Sequence, residues 1–127
     1  MYYLNKKVQL NFEEADQKIR EVLKKYGFGI LTEINFSETI KNKIDKDLGK
    51  QYKILGACNP NFAYQAYQQE EKIGIMLPCN VTLIETEEGT DISIMDPVAA
   101  FKVVDNPNIE GFANEVKAIL EQALNEV

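Results

Sequence analysis

The chain has 127 residues, 45% hydrophobic and 27% charged, which fits one domain able to bury a core without disulfide or metal staples. Twenty acidic against fourteen basic side chains leave a net charge of -6, which repels a phosphate backbone and argues against nucleic acid as a partner. Histidine is absent, which removes Ser-His-Asp and Cys-His catalysis, histidine-type zinc sites and the commonest proton shuttle together, so an enzyme here would need carboxylates, thiols, lysines, tyrosines or a cofactor.

Tyr2 to Leu10 alternates polar and apolar side chains and predicts a strand with Leu4, Val8 and Leu10 on one face. Lys6 on that face marks an edge. The same stretch lacks the apolar block of a signal peptide, and no run approaches the ~20 apolar residues of a membrane span, so a cytoplasmic protein with no membrane partner is expected. Asn11 caps a helix, with Glu14 completing an Asn form of the capping box, and Phe12, Ala15, Ile19, Val22, Leu23 and Tyr26 make its apolar stripe. Lys24, Lys25 and Gly27 end it.

Phe28 to Ile34 reads as a second strand, with Phe28, Ile30, Thr32 and Ile34 on one face and Gly29, Leu31 and Glu33 on the other. Ser37 and Glu38 start a short helix that runs to about Leu48 and ends at Gly49, with little surface to bury. Tyr52 to Asn59 is apolar on both faces, as a central strand would be. Pro60 stops it, and Asn59 caps a helix to about Glu71. After Ile75-Met76-Leu77 and Pro78, a strand from about Cys79 to Thr86, a turn at Glu87 to Thr90 and a strand from Asp91 to Met95 form a hairpin. Asp96-Pro97 breaks the ladder, Val98 to Val104 continues irregularly or as a short strand, and Asn106-Pro107 opens a long final helix. This order predicts one α+β domain over residues 1–127, built on a single mixed sheet with packed helices. Gly27-Phe28-Gly29 precedes a strand instead of opening a helix, so it is a turn and not a dinucleotide fingerprint.

The two cysteines sit in matching settings, Cys58-Asn59-Pro60 and Leu77-Pro78-Cys79-Asn80. Cys58 falls just before a helix start, where free amides and the positive dipole end attract anions and lower a thiol's pKa. The plainer reading makes both cysteines small buried hydrophobes and both asparagines caps or turns. The candidate site residues are Glu33, Cys58, Asn59, Pro60, Leu77, Pro78, Cys79, Asn80 and Asp96. They would frame an apolar cleft lined by Phe28, Leu31, Met76 or Leu77, with Asn59 and Asn80 orienting a small ligand or partner chain. No cofactor is named and no metal ligand set is assigned. A second class of function is a thiol redox protein, or a thiolate site for a soft metal or haem, using Cys58 and Cys79; two sulfurs leave a tetrahedral shell incomplete, so Glu33, Asp96 or a second subunit would have to fill it. A third is a hydrolase or isomerase using Glu33 and Asp96, with no motif behind it.

Taken in order and spacing, Gly27 to Ile34, Ile54 to Pro60, Leu77 to Val81 and Asp96-Pro97 resemble the bacterial and archaeal domain-of-unknown-function family 302, over about Tyr3 to Phe101. The resemblance implies a compact α+β fold of TATA-binding-protein-like architecture, commonly a homodimer, with no established activity. The family pattern falls on Gly27, Gly29, Thr32, Glu33, Gly56, Cys58, Asn59, Pro60, Leu77, Pro78, Cys79, Asn80, Asp96 and Pro97, none with an assigned catalytic role. A homodimeric ligand-binding or interaction module is therefore expected ahead of an enzyme.

Overall fold

In the computed structural model, which describes all residues from Met1 to Val127, the chain runs β1 (Tyr3–Val8), α1 (Phe12–Lys25), β2 (Gly29–Asn35), α2 (Phe36–Ile44), β3 (Tyr52–Cys58) and α3 (Pro60–Gln69). A 3-10 turn (Glu71–Met76) leads to β4 (Cys79–Glu85), β5 (Thr90–Met95), α4 (Pro97–Phe101), a second 3-10 turn (Lys102–Val104) and α5 (Pro107–Asn125). The strands form one sheet in the order β1-β5-β4-β3-β2. The α+β class and the single sheet agree with the sequence reading, but all four ladders are antiparallel instead of mixed. A parallel pair needs a crossover helix packed across the sheet, and α2, which buries no residue, is not one.

Helix starts follow the local chemistry. The Asn11–Glu14 capping box forms at α1. Asn59, Asp96 and Asn106 each accept a backbone N–H from the first turn of α3, α4 and α5, and each is followed by a proline at the first helical position. Asp96 and Pro97 thereby make Val98 to Val104 helical, where the sequence suggested an irregular or extended run. The cap of α2 is Asn35, whose side chain accepts from Glu38 N at 3.1 Å, so the helix starts before Ser37. It stops at Asp45 in the left-handed conformation, short of Gly49.

The inward stripe of α1 (Phe12, Ala15, Ile19, Val22, Leu23) and that of α5 (Val116, Leu120, Ala123, Leu124) close over Leu55, Ala57, Val81, Leu83, Ile92 and Ile94. A smaller cluster of Ala66, Ile73, Phe101, Ile109 and Ala113 extends this core. The core therefore occupies one face of the sheet. Side chains of the opposite face, among them Tyr3, Asn5 and Lys7 of β1 and Asn80, Thr82 and Ile84 of β4, are left uncovered, bordered by α2, where the Phe36 and Tyr52 rings lie 5.0 Å apart.

In β2 a bulge at Leu31 changes the expected faces: Ile30 pairs with Ala57 but Thr32 pairs with Gly56. The extra residue moves Thr32 and Ile34 to the uncovered face and turns Glu33, paired with Leu55, toward the helices.

Candidate functional site

Register brings the two Cys-Asn motifs side by side, with Ala57 opposite Cys79 and Gly56 opposite Asn80. Cys79 follows the inward set of Val81 and Leu83 and is 6% exposed, whereas Cys58, the last residue of β3, is half-buried and shares the lining of one recess with it. Both cysteines are free.

Burial pushes the Cys79 thiol up to about 11, with the neighbouring Cys58 adding to the shift. Burial also raises the Cys58 thiol above its ordinary value, so the lowering expected at a helix start does not occur. The reason is local: Asn59 Oδ1 already accepts the amides of Asn61 at 3.0 Å and Phe62 at 3.2 Å, and those donors are not left for a thiolate. No group of three or more Cys, Asp or Glu side chains converges as a metal shell would require.

The recess beside the motifs is lined by Phe28, Cys58, Asn59, Phe62, Leu77, Cys79 and Phe112 among others, and holds about 30 Å³. That is roughly the room of one water molecule. Phe62 closes it, with ring centroids 6.4 Å from Phe28 and 5.4 Å from Phe112. Leu31 and Met76, also expected there, do not line it.

The remaining motif residues pack against one another. A Cβ on Gly56 would lie 2.2 Å from Thr32 Oγ1 and 2.6 Å from Pro78 Cγ, so this glycine lets Thr32 and Pro78 close over β3. Gly27 has φ +88°, and a Cβ there would lie 2.9 Å from Asn59 Nδ2, which holds the Asn59 side chain between that turn and α3. Pro60 fills the first position of α3.

Glu33 and Asp96 are not brought together. They belong to β2 and to the end of β5, three interstrand steps apart at ~4.8 Å each. Glu33 pairs with Arg20 and, at 3.1 Å, with Lys53; Asp16 joins the same network, 2.6 Å from each of those cations. Burial pushes the Asp16 carboxyl up, but hydrogen bonds and charge from Arg20 and Lys53 outweigh it and hold it below the usual value. Asp96 accepts from Val98 N at 2.9 Å and pairs with Lys117 at 2.9 Å. Those contacts likewise overcome its burial and lower its pKa. Both acids act as structural ties between elements.

A broad concavity lies on the uncovered face, a trough of about 810 Å³ whose lining includes Tyr3, Asn5, Lys7, Lys50, Tyr52, Asn80, Thr82, Asp91 and Ser93. Of the nine candidates named from sequence, Asn80 alone lines it. Outward strand positions read singly as solvated surface. The available signal is that those of β4 and β5 are Asn80, Thr82, Ile84, Asp91, Ser93 and Met95, of which Asn80, Thr82 and Ser93 are short uncharged polar groups in place of the lysines and glutamates that cover the helices.

No helix is long and apolar enough to cross a membrane. A family model described as a domain of unknown function, DUF302, matches residues 4–127, which carries the likeness through α5. No curated protein matches the chain. Among solved structures, the crystal structure of an uncharacterized conserved DUF302 protein from Bacillus stearothermophilus is similar with a TM-score of 0.92 at 24% identity, over 99% of this chain and 98% of that one.

Proposed function

The chain belongs to the DUF302 family, whose description specifies no activity, and on that premise we propose a non-catalytic binding module whose working surface is the uncovered sheet face around Asn80. The observation that carries this reading is the contrast in room. The trough of about 810 Å³ is of the size that accepts small molecules, roughly 300–1,000 Å³, whereas the recess between the cysteines holds about 30 Å³. Tyr3 and Tyr52 supply aromatic surface, and Asn80, Thr82 and Ser93 supply neutral donors and acceptors that orient a ligand. A cytoplasmic setting suits the two free thiols. Titrating a fragment library into the labelled protein and following amide shifts by NMR is expected to move Asn5, Asn80, Thr82 and Ser93. Shifts confined to Phe28, Cys58 and Phe62 would return the site to the recess and overturn the reading.

The module acts as a homodimer through α3 in this proposal. In a chain with 27% charged residues, Pro60–Gln69 carries no charge, and its exposed Tyr64 and Tyr67 rings stack 6.5 Å apart. Interface centres are poor in charge and rich in tyrosine, and two chains of charge -6 repel least where a neutral surface faces its copy. Sedimentation is expected to show a dimer that becomes monomeric on combining Tyr64→Glu with Tyr67→Glu. A dimer untouched by both substitutions would place the contact elsewhere.

A further inference from the structure

The register orders the trough into rows. Tyr3 and Met95 begin the first, Asn5, Ser93, Thr82 and Ile54 make the second, and Lys7, Asp91, Ile84 and Tyr52 make the third. Tyr3 and Tyr52 therefore stand at diagonally opposite corners, three interstrand steps of ~4.8 Å apart across the sheet and four residues of ~3.4 Å apart along it, or ~20 Å in all. The middle row that lies between them is polar without charge on three strands. A ligand that covers both rings is extended, with an apolar face at each end and hydrogen-bonding groups between.

The centre of the trough is held by its own hydrogen bonds. Asn5 Nδ2 donates to Asp91 Oδ1 at 2.9 Å, to Ser93 Oγ at 2.9 Å and to the Ile92 carbonyl at 3.2 Å, and Ser93 Oγ donates to the same Asp91 oxygen at 3.3 Å. These contacts fix the Asn5 and Asp91 side chains while Asn5 Oδ1 and Asp91 Oδ2 take no donor from the chain. Acceptors oriented in advance bind a donor-rich ligand at little ordering cost.

Charge narrows the class. Asp91 is the one acid in the lining, and Lys7 on β1 and Lys50 before β3 flank the trough on opposite sides, so no two cations converge on one anionic group. The net charge of -6 disfavours an anion further. A peptide strand docks by extending the edge of a sheet, whereas on this face the backbone groups of the central strands are already paired in ladders. Hydroxyl groups, each both donor and acceptor, match the middle row, and the C–H face of a sugar ring matches a tyrosine.

Resting on the reading of this face as the binding surface, we infer that its ligand is a neutral oligosaccharide. Its sugar rings lie on Tyr3 and Tyr52, and its hydroxyls meet Asp91 Oδ2, Asn5 Oδ1, Asn80 and Thr82 between them.

The test follows calorimetric titration and amide NMR shifts of the native full-length chain with four neutral tetrasaccharides: maltotetraose, cellotetraose, xylotetraose and tetra-N-acetylchitotetraose. Glucose and tetragalacturonate serve as the monomeric and the acidic counterparts. At least one neutral tetrasaccharide is expected to bind and to shift Asn5, Thr82 and Ser93, with an affinity that added salt leaves unchanged. Glucose, which reaches one ring alone, should bind at least about tenfold more weakly, and Tyr3→Ala and Tyr52→Ala should each weaken the tetrasaccharide by roughly tenfold, the scale of one lost aromatic contact. Asp91→Ala should weaken it by at least as much. Glucose bound as tightly as the tetrasaccharide, tetragalacturonate bound more tightly, or tyrosine variants without effect would overturn the oligosaccharide assignment. A panel in which no sugar binds, while the fragment library still shifts Asn5, Thr82 and Ser93, overturns it too and leaves the trough as the binding face. If neither sugars nor fragments shift those residues, the binding-face reading falls with it.

Discussion

Substituting Gly56 by alanine is expected to destabilise the protein by about 2–3 kcal/mol, the upper range for forcing extra atoms into a filled site. The added methyl would stand 2.2 Å from Thr32 Oγ1 and 2.6 Å from Pro78 Cγ. The hydroxyl can rotate away, because Thr32 is on an edge strand and exposed. The pyrrolidine ring cannot, and β3 is paired on both sides, so the backbone has no free direction in which to retreat. Adding Thr32→Ala to Gly56→Ala should therefore recover only part of the loss, the remainder belonging to Pro78. Urea unfolding of the two variants reads this directly. A Gly56→Ala protein as stable as wild type would show that Pro78 moves freely.

A larger loss, about 3–5 kcal/mol, is expected for Phe28→Ala, the range measured for large aromatic truncations in cores. Phe28 is 2% exposed and packs in the main core beside Phe62. Its removal would join the space of a whole ring to the existing recess of about 30 Å³, and a cavity of that size is not filled by small adjustments of Leu23, Leu55 or Val81. Against a typical total of about 5–15 kcal/mol, such a loss leaves a folded but fragile domain. Chemical denaturation should show the midpoint fall sharply while the folded fraction binds trough probes as before, because Phe28 and the trough lie on opposite faces of the sheet. A change below 1 kcal/mol would mean that Phe62 and Phe112 collapse into the gap.

The parts of the fold legible from sequence are those decided within a few residues. Asn11 and Glu14 announce the start of α1, and Asn59-Pro60 and Asn106-Pro107 announce α3 and α5, because a side-chain oxygen and a preset φ act on the first turn alone. The bulge at Leu31 has no such local sign, since it is defined by what lies opposite on β3, and so the faces of β2 were not readable beyond Ile30. The adjacency of the two Cys-Asn segments comes from the β3–β4 register, which neither segment specifies by itself, and their chemistry depends on whether the first amides of α3 are already taken. The trough is the extreme case. Asn5, Thr82 and Ser93 come from three strands and make one row only through register, which none of those strands specifies by itself.

Because the core lies on a single face of the sheet, cohesion and the proposed recognition fall to different sets of side chains in the same strands. Changes at Asn5, Thr82 or Ser93 act on surface positions, where most substitutions shift stability by no more than about 0.5 kcal/mol. The outward positions of these strands can therefore change while Val81, Leu83, Ile92 and Ile94 stay untouched, so that, on the proposed reading, selectivity can diversify without eroding the architecture.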